Sequence, residues 1–402
     1  MKIDLAKLIS LFSAAGILVL AGILTMKYEL FPAKQVSRVL DNATETVKSL
    51  SRTPRFVNIK AEGPRFITRD EARVSPGATL VALVDEERRN HVKVFDRTGN
   101  LVQEWNTDIF EIWEGSEFAW VPGNQVPKTQ PGANVHGIKV TPDGGIIFNF
   151  EYISTVRLDA CSNVMWKLEN NGHHFVSHDL DEDYWISTSL LHRRGTSIPT
   201  PNIIAPFGED FIVEISPDGE EKQVISVVDL LYRNDLWGLL YVGAWHNTNT
   251  RVRGDVTHIN DVETYPTDLP EGVFNHGDLL VSIRNLNAVI GFDRETLEVK
   301  HVAQGIMLRQ HDVDFVGPDT YIVFDNRNIR EKPLEGKKRS RILEIKAAPN
   351  GSYESYVEVF RGEGDAHYFT DVMGAQQPLP NGNVLVNVSY EGRAVEITPE
   401  GE

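Results

Sequence analysis

The chain of 402 residues is poor in cysteine and has no excess of positive charge. Its single cysteine, Cys161, excludes an internal disulfide, a zinc site built on several cysteines and an iron–sulfur cluster. Lysine and arginine number 40 against 57 aspartates and glutamates, and the net charge of −17 disfavours binding to nucleic acid. With 41% hydrophobic and 24% charged residues, the composition is that of a folded globular protein.

Long hydrophobic runs are also scarce, and one run stands out. Residues Leu8–Met26 carry no charged side chain and are flanked by Lys7 and Lys27. At about 1.5 Å per residue, a helix of this length approaches the ~30 Å hydrocarbon thickness of a bilayer. No small-residue cleavage site follows the run. We therefore predict an uncleaved signal-anchor within residues 1–31, with a signal peptide that has an atypical cleavage site as the alternative.

Two segments of different character follow the hydrophobic run. Residues 32–54 carry apolar side chains at helical spacing, from Val36 to Leu50, which predicts a short helical stalk. In residues 55–402, β-branched and aromatic residues alternate with polar ones in short runs that Gly, Pro, Asn and Asp separate. This pattern is typical of an all-β domain.

A repeated unit divides this β domain. Each copy has an apolar residue, a polar residue, a turn and another strand, and six copies are centred on Phe95, Leu158, Ile215, Phe292, Ile345 and Ile397. Spacings of about 50 to 80 residues suit one four-stranded blade per copy, so we predict a six-bladed β-propeller. Because the last copy ends at the C-terminus, a strand within Phe56–Thr68 is expected to complete its blade. A pair of β-sandwiches with coincidental turns is the alternative.

Histidines recur at one place relative to these repeats. The residues that open an alternating apolar run are His136, His174, His258 and His311, and Met373 takes that place in the sixth copy. Equivalent positions of different blades face each other across the propeller axis, so we expect the four histidines to converge in one funnel. Such a cluster could bind a metal, because imidazole is the commonest metal ligand, and Asp179, Asp261 and Asp312 are near in sequence. No HExxH-type local ligand pair supports that alternative.

Several segments resemble the bacterial arylsulfate sulfotransferases, the PAPS-independent enzymes that are built on a six-bladed propeller. The matching segments, within roughly residues 75–402, are Gly172–His174, Asp255–Val262, Ser282–Arg284, Gln310–Asp312, Phe324–Asn326 and Pro380–Asn383. The resemblance implies that His311 accepts the sulfuryl group, and that His174, His258 and Arg284 hold the sulfate oxygens. His136, at the edge of the funnel, and His173 and Asn260, within the matching segments, are expected to bind substrate.

The resemblance also implies a reaction and a location. An aryl sulfate would donate its sulfuryl group to a phenolic acceptor through a sulfohistidine, with no metal and no cofactor. A neutral imidazole is a competent nucleophile near pH 7, and covalent transfer splits one difficult displacement into two easier ones. Together with the predicted anchor, this places a single-pass protein in the bacterial inner membrane with its propeller in the periplasm. The alternatives are a non-catalytic, membrane-tethered propeller for binding or assembly and a metal-dependent propeller hydrolase.

Overall fold

The N-terminal unit of the chain contains one described helix. The computed structural model describes residues 5–27, 70–114, 129–193, 195–241, 251–327 and 338–402. The chain divides into two compact units, Met1–Asn58 and Ile59–Glu402. In the first unit, Leu5–Lys27 form the helix α1, on which apolar side chains such as Ile17 and Leu18 are exposed. The described part of the chain contains no helix that is long and apolar enough to cross a membrane.

The second unit is an all-β propeller of six antiparallel sheets, which follow one another along the chain. Sheet 1 has β1 (Ala78–Val84), β2 (Asn90–Asp96) and β3 (Leu101–Asn106). Sheet 2 has β4 (Val135–Val140), β5 (Ile146–Phe150), β6 (Ser154–Leu158) and β7 (Val164–Leu168). Sheet 3 has β8 (His173–His178), β9 (Tyr184–His192), β10 (Ile203–Ile215) and β11 (Glu221–Ser226), and β12 (Val252–Asp255) pairs with β10 in parallel.

The remaining three sheets repeat the same order. Sheet 4 has β13 (Ile259–Thr264), β14 (Leu279–Ile283), β15 (Ala288–Phe292) and β16 (Val299–Gln304). Sheet 5 has β17 (His311–Gly317), β18 (Thr320–Asp325), β19 (Arg341–Ala347) and β20 (Tyr353–Val359). Sheet 6 has β21 (Ala375–Pro378), β22 (Val384–Val388) and β23 (Arg393–Ile397). Of two short helices, α2 (Ile109–Ile112) lies between sheets 1 and 2, and α3 (Val227–Arg233) lies between β11 and β12 of sheet 3.

The repeated unit of the sequence marks the same hairpin in every complete sheet, and the prediction of six blades is confirmed. Leu158 ends β6 and Phe292 ends β15, each at the turn from the third strand to the fourth. In the first of these turns, Asp159 Oδ1 accepts hydrogen bonds from the backbone of Cys161 and Asn163, both at 2.8 Å. An aspartate that bonds to the backbone two residues on is a standard device of turns, which is why the repeat is readable in the sequence.

The position of the repeated unit also shows which strands of a blade are described in the first and last sheets. The repeat centred on Phe95 joins β2 to β3, so the three strands of sheet 1 correspond to the second, third and fourth of a complete blade. Ile397 ends β23, so sheet 6 shows the first, second and third. The predicted closing strand, Phe56–Thr68, lies outside the described residues, as does the predicted stalk, Val36–Leu50.

Contacts also join the start of sheet 1 to sheet 6. The carbonyl oxygen of Arg73 accepts a hydrogen bond from Asn383 Nδ2 at 2.8 Å, and the backbone N–H of Ser75 donates to Glu396 Oε1 at 2.7 Å. The Arg73 guanidinium pairs with the exposed carboxylates of Glu400 and Glu402. The chain therefore returns to its C-terminal sheet before β1 begins, as ring closure requires.

The first strands of sheets 2 to 6 surround the axis of the propeller. In order, β4 contacts β8, β8 contacts β13, β13 contacts β17 and β17 contacts β21. The apolar core lies between neighbouring sheets; between sheets 4 and 5, for example, it contains Tyr265, Phe274 and Tyr321, all fully buried. Because the inner strands all begin at one end of the axis, the residues that open them share one end of the central cavity.

A glycine allows two inner strands to approach at that end. Gly137 in β4 has a φ of 56°, and a Cβ atom added there would lie 1.9 Å from the carbonyl oxygen of His174 in β8. Gly137→Ala should therefore lower the free energy of unfolding by about 2–4 kcal/mol, from backbone strain plus the clash. Gly305, with a φ of 85° and no atom within 4 Å of such a Cβ, is the control for strain alone. Chemical denaturation measures the free energy of unfolding of both variants. If Gly137→Ala and Gly305→Ala lower it equally, the close approach of the two strands is contradicted.

Candidate active site

The inner strands of five sheets begin with a residue in the left-handed backbone region. These residues are Gly137, His174, His258, Asp312 and Met373, with φ between 49° and 56°. His174 and His258 occupy the left-handed position itself, whereas His136 and His311 come directly before it. The four histidines thus belong to two adjacent positions, where the sequence suggested one. The register is irregular near the start of each of these strands in sheets 2 to 5.

The structure nevertheless brings the histidine rings together. The ring centroid of His174 lies 4.6 Å from that of His136, 4.7 Å from that of His258 and 5.0 Å from that of His173. Tyr152, from the turn after β5, stacks on His173 at 4.9 Å. His136, which we expected at the edge of the funnel, is in direct ring contact with His174. Its Nδ1 atom is buried with no hydrogen-bond partner, and burial lowers its pKa.

Side-chain amides fix the backbone that carries these histidines. Asn149 Nδ2 donates to the carbonyl oxygens of His173 and Phe175, at 3.0 and 2.9 Å, and Thr155 Oγ1 donates to Asn149 Oδ1 at 2.7 Å. Asn260 Nδ2 donates in the same way to the carbonyl oxygen of Gln310 at 2.7 Å, which connects sheet 4 to sheet 5. Asn260 Oδ1 is buried and has no hydrogen-bond partner.

His311 is held in one tautomer. Its Nδ1 lies 2.7 Å from Asn326 Oδ1 and 3.1 Å from the carbonyl oxygen of Arg309. The orientation of the Asn326 amide is fixed, because its Nδ2 donates to the carbonyl oxygens of Thr370 and Met373. Both neighbours of His311 Nδ1 are therefore acceptors, so Nδ1 carries the hydrogen. In a neutral ring the lone pair is then on Nε2.

The surroundings of His311 also keep its ring neutral. Burial lowers the pKa of His311 to about 3, although the hydrogen bond to Asn326 acts in the opposite direction. The charges of the nearby groups Arg284, His258 and His136 lower the pKa further. At neutral pH the Nε2 atom is therefore unprotonated, with its lone pair available.

Arg284 is placed beside His258 by backbone hydrogen bonds. The N–H of Arg284 donates to the carbonyl oxygen of His258, and the N–H of Asn285 donates to that of Thr257, both at 3.1 Å. Burial and the charge of Arg309 lower the pKa of Arg284, but a guanidinium stays charged at neutral pH. Its planar donors can bind two oxygens of a tetrahedral anion.

His258 has a carboxylate behind it. Its Nδ1 lies 2.6 Å from Asp255 Oδ2, so Nδ1 donates to the carboxylate and Nε2 is directed elsewhere. Burial raises the pKa of Asp255, but the hydrogen bond from His258 and the charges of His258, His173 and Arg284 outweigh it and lower the pKa overall. Asp255 thus stays ionised and fixes the orientation of the His258 ring through the Nδ1 hydrogen bond.

The sequence did not single out Tyr152, Asp210 or Asp255 as site residues. Asp255 opens the segment Asp255–Val262, and its place three residues before His258 is a signal that the sequence does contain. Asp210 lies in the third strand of sheet 3, far from the histidine runs, and Tyr152 lies in a turn with a φ of 56°. Neither position differs in sequence from an ordinary strand or turn residue.

Further along the inner strands, buried acidic side chains lie around one lysine. Lys139 in β4 is close enough to Glu263, Asp314, Asp261 and Asp312 for their charges to raise its pKa. Burial raises the pKa of each of these four carboxyl groups. Within the described ranges, no group of three or more His, Cys, Asp or Glu side chains is arranged to hold a metal ion.

The fold and this cluster together define a propeller with a group of histidines and one arginine at one end of its axis. The sequence model of the arylsulfotransferase (ASST) family matches residues 137–402, which is more than half of the chain and includes every histidine of the cluster except His136. The protein belongs to the arylsulfotransferase family. No curated relative matches the chain.

Solved structures with some likeness to the chain are only distantly similar. A catalytically inactive virginiamycin B lyase from Staphylococcus aureus, solved with quinupristin, is 10% identical, with a TM-score of 0.39, over 80% of this chain and 85% of its own. A protein from Desulfotomaculum acetoxidans, described as functionally unknown, is 10% identical, with a TM-score of 0.41, over 79% of this chain and 78% of its own. At this level of similarity neither structure indicates what this chain does.

Proposed function

We propose that this protein transfers a sulfuryl group from an aryl sulfate to a phenolic acceptor, with His311 Nε2 as the nucleophile. The observation that carries the proposal is the fixed tautomer of His311, which leaves a lone pair on Nε2 in a ring that is neutral at physiological pH. Family membership supports sulfuryl transfer as the reaction class.

The reaction has two steps that balance. In the first, His311 Nε2 attacks the sulfur, an N–S bond forms, and the bond from sulfur to the aryl oxygen breaks to release a phenolate. In the second, the oxygen of a phenolic acceptor attacks the sulfur, the N–S bond breaks, and the phenolic proton is released, which balances the proton that the phenolate of the first step takes up. Arg284 and His258 would hold the sulfuryl oxygens, because in transfers of this kind positioning and charge neutralisation supply most of the catalysis. Neither step requires PAPS or a metal.

The test is to mix the purified protein with 4-nitrophenyl sulfate, with and without phenol, in the absence of PAPS and added metal. We expect release of nitrophenol that phenol accelerates, and an intact mass increased by one SO₃ group, located on His311 by fragmentation. A protein that acquires no such group from a panel of aryl sulfates would overturn the proposal and favour the binding module. Turnover that a chelator abolishes and added metal restores would instead favour the hydrolase.

We further propose that the N-terminal segment, residues 1–31, anchors the propeller to the bacterial inner membrane, with the propeller in the periplasm. The uncharged run Leu8–Met26 and the exposed apolar side chains of α1 support this proposal. A protein that lacks residues 1–31 should appear in the soluble fraction, whereas the full chain should require detergent. The matched control keeps the helix but replaces Leu18 and Leu20 with lysine, which should also prevent insertion. Membrane association of the folded truncated protein would contradict the anchor.

A further inference from the structure

A buried pair of residues connects His174 to a carboxylate. His173 is fully buried, and its Nδ1 lies 2.8 Å from the Nδ1 of His174, so one of the two rings donates and the other accepts. His173 Nε2 has no hydrogen-bond partner and faces Asp210 Oδ1 at 3.6 Å. A buried, unpartnered nitrogen is costly to folding and calls for a functional explanation.

Asp210 also contacts the residues on both sides of His258. Its Oδ2 accepts hydrogen bonds from Thr257 Oγ1 at 2.5 Å and from the backbone N–H of Ile259 at 3.2 Å. These bonds hold Asp210, which is only 4% exposed, between the backbone of His258 and the ring of His173. Only the Oδ1 atom remains free to exchange a proton with the histidine pair.

We propose that Asp210 and His173 form a proton relay to His174, which protonates the departing phenolate and later receives the proton of the phenolic acceptor. The inference rests on the proposed sulfuryl transfer, which creates a basic phenolate in the first step and must deprotonate a phenol in the second. Asp210 and His173 do not touch the substrate in this scheme, and they act through His174.

The relay moves one proton along three links. Before transfer, Asp210 is protonated on Oδ1, His173 on Nδ1 and His174 on Nε2. As the phenolate leaves, the Nε2 proton of His174 moves to its oxygen, the Nδ1 proton of His173 moves to His174 Nδ1, and the Asp210 proton moves to His173 Nε2. The result is a carboxylate and two neutral imidazoles in their other tautomers. The acceptor phenol supplies the proton that reverses every link.

The electrostatics of the buried groups suit this scheme. Burial, with the charge of His258, lowers the pKa of His173 to about 3, and burial and the neighbouring histidines lower that of His174 well below its usual value. Neither ring can therefore store the proton as an imidazolium at neutral pH. Burial raises the pKa of Asp210 to about 6, against the hydrogen bond from Thr257, so this carboxyl group can store the proton near neutral pH.

The groups that face Asp210 are Thr257, Asp255, His258, Ile259, His173 and Tyr152. Among them, Asp255 raises the pKa of Asp210 by its negative charge and His258 lowers it. The distance of 3.6 Å between Asp210 and His173 is longer than a hydrogen bond, so the relay requires it to shorten when the donor binds. Catalytic hydrogen bonds are often long in structures without substrate.

The experiment uses donors whose phenols differ in acidity. 4-Nitrophenol is acidic enough to leave without a proton, whereas the phenolate of phenyl sulfate is more basic and needs one. Asp210→Asn keeps an acceptor for Thr257 and Ile259 but cannot exchange the proton. We expect kcat/KM to fall by about 10²-fold or more with phenyl sulfate and by less than ~10-fold with 4-nitrophenyl sulfate. His173→Phe, which keeps the ring stacked on Tyr152, should show the same pattern.

The control is Asp261→Asn. Asp261 is equally buried and its Oδ2 accepts the backbone N–H of Val313 at 2.7 Å, but it lies outside the relay. Any loss in this variant should be equal for the two donors. If Asp210→Asn and His173→Phe lower kcat/KM equally for the two donors, the relay is overturned. An SO₃ adduct on the wild-type protein would still support sulfuryl transfer in that case. A wild-type protein without adduct or turnover would overturn the proposed function itself.

Discussion

Replacing His311 with alanine is expected to abolish both the SO₃ adduct and the turnover of aryl sulfates. The reason is that no other described imidazole has the same arrangement, with Nδ1 held by two acceptors and Nε2 left with its lone pair beside Arg284 and His258. The variant should stay folded. Without the imidazole, Asn326 Oδ1 loses its hydrogen-bond donor. An unsatisfied buried group of this kind should lower the free energy of unfolding by about 1–3 kcal/mol. Intact-mass analysis and thermal unfolding of the same sample measure both effects.

His301 provides the matched control for that variant. It is a fully buried histidine of sheet 4 whose Nε2 lies 2.9 Å from Tyr321 Oη and whose Nδ1 lies 3.0 Å from the carbonyl oxygen of Ser352. Both of its nitrogens are engaged within the protein, so His301→Ala should lower the melting temperature and still acquire the SO₃ group. An adduct on the His311→Ala protein would show that another residue is the nucleophile.

Replacing Arg284 with alanine is expected to lower kcat/KM by about 10²–10³-fold, the loss typical of one oxyanion donor. The nucleophile remains, so the adduct should still form, but slowly. Arg284→Lys keeps the positive charge without the planar pair of donors and should recover only part of the rate. Stopped-flow measurement of nitrophenol release separates the formation of the adduct from its later transfer.

Arg294 is the control for the loss of an arginine in the same sheet. Its guanidinium pairs with Asp179 at 2.5 Å, beyond the end of β8 that is opposite to His173. Arg294→Ala should therefore lower the stability of the protein while changing the rate of adduct formation little. If Arg284→Ala forms the adduct as fast as the wild-type protein, Arg284 does not hold the sulfuryl oxygens.

The propeller could be predicted because each blade contains a local signal. The turns between third and fourth strands use aspartate side chains that bond to nearby backbone, as Asp96 does to Thr98 and Asn100. Such turns depend only on neighbouring residues, so their spacing is visible in one sequence. The parallel strand β12 was not predicted, because its pairing partner is the distant N-terminal half of β10. That strand ends at Asp255 and brings it to His258.

The candidate site could be predicted in its residues but not in its proton chemistry. The histidine runs indicated a shared cavity, since strand order in a propeller relates distant residues by rotation. The tautomer of His311 depends on the orientation of the Asn326 amide, which is set by carbonyl oxygens of the next sheet. The role of Asp210 depends on contacts with Thr257 and His173, from two different sheets. Such contacts leave no periodic mark in the sequence.

The left-handed backbone at His174 and His258 has a consequence for how stability and activity are related in this protein. A residue with a Cβ atom is held in this region at a cost of about 1–2 kcal/mol, which glycine does not incur. Gly137 shows that the fold itself tolerates glycine at the equivalent position of sheet 2. Selection for stability alone would thus favour glycine at both sites. Under the proposed reaction, in which both imidazoles act at the site, glycine at these positions would give a more stable propeller that is a poorer catalyst.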